Sequence, residues 1–266
     1  MTDRAVSIVV PTWNGEALLA RNLPSLLEAI RCHPGEAELI VVDDGSTDGT
    51  LELLRRDFPT VRPVIHRQNR GFGEACLSGV LAARHPLVAL LNSDVHVEKD
   101  FLAPLTKAFD DPLTFASCPL ILDREGDAIN TSLRVPYVKR GKIRFRRSDA
   151  RELQRDKRAA ALRWYTLYPV GGACLLDRER FLALGGFDPL FHPFYYEDQD
   201  LGFRAWRRGW HCCVVPSSRV THEGGETINR FFDARYVNAT RKRNRLPEVT
   251  RVDVLDALHP IASSIF

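Results

Sequence analysis

Three short apolar runs, each ended abruptly by polar residues, constrain this chain more than any other feature. Val6, Ile8, Val9 and Val10 form the first, closed by Pro11. Leu39 to Val42 form the second and lead into Asp43, Asp44, Gly45 and Ser46; Leu87 to Leu91 form the third and lead into Asn92, Ser93 and Asp94. A strand that is apolar at successive positions has both faces buried, the condition of a parallel sheet covered by helices. The stretches between the runs supply those helices. Leu18, Leu19, Leu23, Leu26, Leu27 and Ile30 recur at three-to-four spacing from Glu16 to Arg31. Leu51, Leu53 and Leu54 fall between Thr50 and Phe58, where Ser46 and Asp48 are expected to cap the helix, and Ala75, Leu77, Val80 and Leu81 fall between Gly73 and Arg84. Alternating strand and helix predicts an α/β open sheet with right-handed crossovers. Ligands on such sheets bind at the carboxyl ends of the strands. The polar residues there, Thr12 with Asn14, Asp43 with Asp44, and Asn92 with Asp94, are the first functional signal.

Composition removes several alternatives. The 266 residues carry a net charge of +3, too mild to make nucleic acid the expected partner. No apolar run approaches the roughly 20 residues of a membrane span, and the first residues lack the succession of a secretory leader, so a cytosolic enzyme is expected. The six cysteines have no C-x-x-C spacing and read as buried apolar residues of a reduced protein. One segment is anomalous: residues 139–163 hold eleven Lys or Arg against three Asp or Glu. Such a run is a solvated face or mobile loop, or else a flap that attracts a phosphorylated substrate or anionic lipid headgroups. A further basic group, Arg241, Lys242, Arg243 and Arg245, lies in the tail.

Each polar cluster has a bland reading and a chemical one. The Asp43 to Thr50 stretch suits a strand-to-helix turn, but a turn does not require two adjacent carboxylates after an apolar strand; one could accept from a base imino group or a ribose hydroxyl. Asp94 is either a turn residue or a hard-oxygen ligand for Mg²⁺ or Mn²⁺. Glu197, Asp198 and Asp200 open a helix expected over Leu201 to Arg208 and stopped by Gly209, where acids favour the helix dipole. The aromatics before them, Phe191, Phe194, Tyr195 and Tyr196, could instead tune a carboxylate toward general-base work. His222 is a structural histidine or a metal ligand.

Taken together, and in this order, the clusters resemble a family-2 glycosyltransferase with a GT-A fold. The resemblance rests on Ser7 to Asn14, Glu38 to Thr50, Asn69 to Cys76, Leu90 to Asp94, Gly171 to Ala173, Gly185 to Asp188, Glu197 to Leu201, and Arg204 with Gly209 and Trp210. It implies a Rossmann-like, mostly parallel sheet with an acceptor-side α+β portion. One GT-A domain would span residues 1–225, with a nucleotide-sugar-binding half at 1–110, an acceptor half at 111–225 carrying the basic loop 139–163, and a basic, helical tail at 226–266. It further implies that Asp44 contacts the base, with Pro11, Thr12, Asn14 and Asp43 near base and ribose. Asn92 and Ser93 would belong to the nucleotide-sugar site, with Arg70 near the phosphates. Asp94, with His222, would hold Mg²⁺ or Mn²⁺, and Asp198 would be the general base of an inverting transfer. Gly172, Glu197 and Trp206 fall on the acceptor side. Asn92 stands where the family's metal motif has its first Asp, a departure shared with a branch resembling bacterial rhamnosyltransferases, which tilts the donor toward a dTDP-sugar such as rhamnose, or a UDP-sugar. The implied acceptor is a glycan or lipid-linked saccharide of the cell envelope, reached at the cytoplasmic face of the membrane by peripheral association.

Other readings fare worse. A dinucleotide oxidoreductase needs G-x-G-x-x-G after its first strand, and Pro11 to Gly15 lacks it. A nucleotidyltransferase needs a Gly-rich basic loop after Val10, also absent. A non-catalytic binding module of the same fold would be expected to lose Asp94 or Asp198, and both are present.

Overall fold

The computed structural model describes residues 4–129, 134–139, 142–147, 163–222 and 233–244, with backbone alone in 134–139 and 142–147. The three apolar runs become strands β1 (Val6–Thr12), β2 (Ala37–Asp43) and β4 (Leu87–Leu91), and β3 (Arg62–Ile65) is added at the edge. Helices α1 (Glu16–Cys32), α2 (Thr50–Asp57) and α3 (Phe72–Ala82) connect them. There follow β5 (Val95–Val97), α4 (Leu102–Lys107), β6 (Thr114–Leu122), the hairpin β7 (Arg134–Lys139) and β8 (Lys142–Arg147), β9 (Trp164–Thr166), β10 (Ala173–Asp177), α5 (Arg178–Ala183), α6 (Glu197–Arg207), β11 (His211–His222) and α7 (Ala234–Asn244).

One sheet runs through both halves of the chain, in the order β3-β2-β1-β4-β10-β6-β11-β5, with β9 also paired to β11. β3, β2, β1 and β4 are parallel, while β10 runs antiparallel to both β4 and β6. The period of two explains why the first strands read as continuous apolar runs. Ile8, Val10, Leu39, Val41, Ala89 and Leu91 pack toward α1, α2 and α4, whereas Val9, Ile40, Val42, Val88 and Leu90 pack toward α3, α5 and α6. The order 3-2-1-4 makes the chain leave β1 on one side and return on the other. This switch opens a crevice beyond the carboxyl ends of β1 and β4.

Three expectations need correction. Ser46 does not cap α2; its Oγ accepts from the Asn14 amide at 2.8 Å. Asp48 alone supplies the cap, accepting from the Thr50 amide (3.1 Å), and its other oxygen accepts from the Glu16 amide at the start of α1 (3.1 Å). Glu16 returns the contact by accepting from the Gly49 amide at 3.2 Å, so each helix start is satisfied by a carboxylate near the other. Second, within the basic run Lys139 and Lys142–Arg147 lie in strands, Arg134–Lys139 pairing antiparallel with Lys142–Arg147, while residues 140–141 and 148–162 lie outside the described residues. Third, five cysteines are buried but Cys32, at the end of α1, is exposed. Burial pushes the thiols of Cys76, Cys118, Cys174 and Cys212 up, and that of Cys213 up to about 12.

Candidate active site

At the mouth of the crevice, the turns after β1 and β2 lock together. The Asp44 amide donates to the Thr12 carbonyl (2.9 Å), and Asn14, in the left-handed region at φ 51°, accepts through Oδ1 from the Thr47 amide (2.7 Å). Asp43 is buried and its Oδ1 accepts from the Ser46 amide at 3.2 Å. Pro11 is buried at the end of β1, and the Thr12 hydroxyl is buried beside it with no hydrogen-bond partner.

Asp44 is the most heavily engaged carboxylate. Oδ1 accepts from the Arg70 amide (2.9 Å) and from Nδ1 of His66 (2.7 Å), and Oδ2 accepts from the Gly71 amide (2.8 Å). His66 continues the chain through Nε2 to Ser78 Oγ at 2.9 Å. Three of roughly four lone-pair directions are therefore filled by the chain itself, and Asp44 holds the 66–71 loop whatever else it contacts. The Arg70 side chain is exposed, 3.8 Å from Glu74.

Beyond β4, the Asn92 amide donates to the Gly172 carbonyl (2.8 Å), and Ser93 is buried with its carbonyl accepting from Asn22 Nδ2 (2.9 Å). Antiparallel pairing of β5 with β11 sets His222 opposite Val95. His222 Nε2 thereby lies 3.1 Å from Asp94 Oδ1, although the two are 128 positions apart in sequence. Asp94 is 4 % exposed. The two are a hydrogen-bonded pair, and a carboxylate oxygen beside an imidazole nitrogen is a donor set that would suit Mg²⁺ or Mn²⁺. Among the described residues no group of three or more His, Cys, Asp or Glu stands together as a metal-holding cluster.

Asp198 arrives from the other side. Its Oδ1 accepts from the Gln199 amide (2.8 Å), and Oδ2 lies 3.5 Å from the Gly171 amide. Gly172 is confined by Asn92, whose Nδ2 a Cβ there would meet at 2.4 Å. The pair Gly171-Gly172 thus touches the residue before the Asp94 turn and the Asp198 carboxylate at once. Glu197 points into the protein with Oε2 buried and unpartnered. Burial, and next the Asp198 charge, push its carboxyl up to about 8, so it keeps a proton at neutral pH.

The segment leading into α6 is strained. Tyr195 (φ 75°) and Tyr196 (φ 78°) are consecutive left-handed residues with side chains, at about 1–2 kcal/mol each. Arg204 braces its base, donating to the carbonyls of Leu184 (2.7 Å) and Gly186 (2.8 Å) and pairing with Asp200 (2.7 Å). Trp206, expected on the acceptor side, is packed into the protein. Its indole is 2 % exposed, packs with Leu167 and Tyr168, and donates to the Thr166 carbonyl at 3.1 Å, so it is core. Sequence reasoning also missed His66, because the strand before it, Arg62-Pro63-Val64-Ile65, is too polar to read as an apolar run.

A family model described as Glycosyl transferase family 2 matches residues 7–181. An N-acetylglucosaminyl-diphospho-decaprenol L-rhamnosyltransferase of Mycobacterium tuberculosis (strain ATCC 25618 / H37Rv) is 30% identical over 252 residues, covering 86% of this chain and 79% of its own. Polypeptide N-acetylgalactosaminyltransferase 10 of Mus musculus is 27% identical over 228 residues, covering 81% of this chain, which spans 37% of that protein. A mannosyltransferase from Pyrobaculum calidifontis, solved with GDP-Man and Mn²⁺, superposes with a TM-score of 0.64 at 22% identity, covering 97% of this chain and 68% of that one. TarS of S. aureus, solved with UDP-GlcNAc, gives 0.60 at 19% identity, covering 97% and 71%. These two structures share the fold, the GT-A arrangement of a large sheet flanked by helices. The match over about two thirds of the sequence makes this chain a member of glycosyl transferase family 2.

Proposed function

We propose that this protein transfers a sugar from a nucleoside diphosphate donor to a hydroxyl of a glycan or lipid-linked saccharide, with inversion at the anomeric carbon. The observation that carries the reading is the convergence on Gly171-Gly172 of Asn92, two residues before the His222-paired Asp94, from one side and the Asp198 carboxylate from the other. Thr12, Asn14, Asp43 and Asp44 bind base and ribose, with the unpaired Thr12 hydroxyl as one contact. Asn92, Ser93 and Arg70 line the diphosphate. Asp94 and His222 hold Mg²⁺ or Mn²⁺, which when bound neutralises charge developing on the leaving diphosphate. Asp198 takes the proton of the acceptor hydroxyl as its oxygen bonds to the anomeric carbon and the bond from that carbon to the diphosphate oxygen breaks.

The likeness to a rhamnosyltransferase acting on a lipid diphosphate supports a dTDP-sugar such as rhamnose, or a UDP-sugar, as donor and an envelope saccharide as acceptor. No helix among the described residues is long and apolar enough to cross a membrane. Arg241, Lys242 and Arg243 at the end of α7 would draw the protein to an anionic cytoplasmic face. The test is thermal-shift binding of UDP, dTDP, GDP and CDP with and without Mn²⁺, on the wild type and Asp94→Ala, followed by transfer with the matching sugar nucleotides and NMR of the product anomer. One nucleotide should stabilise the wild type only with metal, and the variant should not respond. No response to any nucleotide at millimolar concentration, with no transfer, would favour a non-catalytic module instead.

A further inference from the structure

We infer that α7 is a brace for the Asp198 carboxylate, and that Asn244 is its positioning residue. The inference rests on the reading of Asp198 as the base. The segment 191–196 enters α6 through two left-handed tyrosines, and Tyr196 at the start of the helix offers it no side-chain cap. Carbonyls in such a segment have no ladder to join and need donors from elsewhere. α7 supplies them. The Asn244 carboxamide, 5 % exposed, donates through Nδ2 to the carbonyls of Phe191 (2.8 Å) and Phe194 (2.9 Å), with that of Tyr195 at 3.4 Å. Its Oδ1 accepts from Arg243 Nε at 2.9 Å, which fixes the amide so that nitrogen faces the loop. Arg243 also donates to the His192 carbonyl. Arg241 donates to the Tyr195 hydroxyl (3.0 Å), with its guanidinium 4.4 Å from the ring centroid.

The helix is built for this face. Val237, Thr240 and Asn244 fall on one side and are buried, and Asp233 starts the helix by accepting from the Tyr236 amide at 2.7 Å. The loop it presses has a fixed surface opposite. The His192 ring covers Gly71, where a Cβ would meet its Cε1 at 2.6 Å, and the Gly71 amide is one of the donors to Asp44. The segment before Asp198 is therefore held between α7 and the donor-side loop. Loosening α7 should move the base while leaving the Asp44 network in place.

The experiment compares Asn244→Ala, Asn244→Asp and Arg243→Ala with the wild type in the full chain. With the sugar nucleotide that the wild type uses, Asn244→Ala should lower kcat by tenfold or more, the scale of a small misplacement of a catalytic group, with donor KM within about twofold. Asn244→Asp, which cannot donate to the carbonyls, should be at least as slow. Tyr195→Gly placed on Asn244→Ala should restore part of kcat, because glycine accepts the left-handed backbone that the brace enforces. Hydrogen exchange gives an arm independent of turnover: amides 197–201 should exchange at least tenfold faster in Asn244→Ala, with 66–71 unchanged. Wild-type kcat and exchange in Asn244→Ala would overturn the brace, as would equal acceleration at 66–71. If the wild type transfers no sugar, the functional reading fails and the exchange result still decides the brace. Should the Asn244 variants not fold, Arg243→Ala, changed at an exposed side chain, should show about threefold lower kcat with the same exchange pattern.

Discussion

The two walls of the crevice are held in place by different means. On the proposed donor side, Asp43, Asp44 and Asn14 take donors from the backbone of their own and neighbouring turns, within a frame of parallel strands buried on both faces. On the proposed acceptor side, Asp198 starts a helix entered through a strained segment, whose carbonyls are satisfied by side chains of a helix some fifty residues further on. Carboxylates saturated by backbone donors are preorganised before any ligand arrives. A carboxylate positioned through side chains at a distance can be displaced without unfolding its surroundings. Substitutions on the donor wall should therefore act on stability and nucleotide binding together, and those on the acceptor wall on turnover.

The sharpest test of this contrast is Asp198→Asn. Transfer should fall by about 10²–10⁴-fold, the contribution of a general base, with nucleotide-induced thermal shift unchanged. A matching loss of nucleotide binding would erase the distinction. Trp206→Ala, which empties a core position close behind the acceptor wall, should cost about 3–5 kcal/mol in denaturant unfolding; a mild effect with altered acceptor KM would return Trp206 to the acceptor site. Asp44→Ala strands three donors and should cost about 3 kcal/mol, with nucleotide affinity falling alongside.

How far the sequence revealed these walls follows the same division. β1, β2 and β4 could be read because a strand buried on both faces is a bare apolar run, and the polar residues ending each run marked the donor wall. β6 is buried at all nine positions, yet Thr114, Ser117 and Pro119 interrupt its apolar pattern. The register of β11 against β6 shifts between Val215 and Arg219, which breaks any simple period. The Asp94–His222 approach depends on the pairing of two strands more than a hundred residues apart, a distance over which local pattern carries no information. Asn244 is invisible for the same reason: its partners are main-chain carbonyls, which every residue possesses.

Two smaller effects refine the comparison. The folded chain holds the Glu197 proton up to about pH 8, while the unfolded chain releases it near the ordinary value of 4.5. The unfolded state therefore binds fewer protons across that window, and stability should decline as pH rises from about 4.5 to about 8. Denaturant midpoints at pH 5 and pH 8.5 should show that decline in the wild type and a flatter response in Glu197→Gln; identical slopes would place the Glu197 carboxyl in water. Asp48→Ala removes the shared cap of α1 and α2 and should cost about 1 kcal/mol with transfer unaltered.

The distribution of thiols has a practical consequence. Five are sealed in the core with their ionisation suppressed, and Cys32 alone meets solvent. A maleimide fluorophore offered to the native protein at neutral pH should attach there and nowhere else. α1 begins at the crevice and has 17 residues, so its far end lies about 25 Å from the donor wall. The native sequence already carries a single attachment point at a useful distance for energy transfer to a labelled nucleotide, without one engineered cysteine.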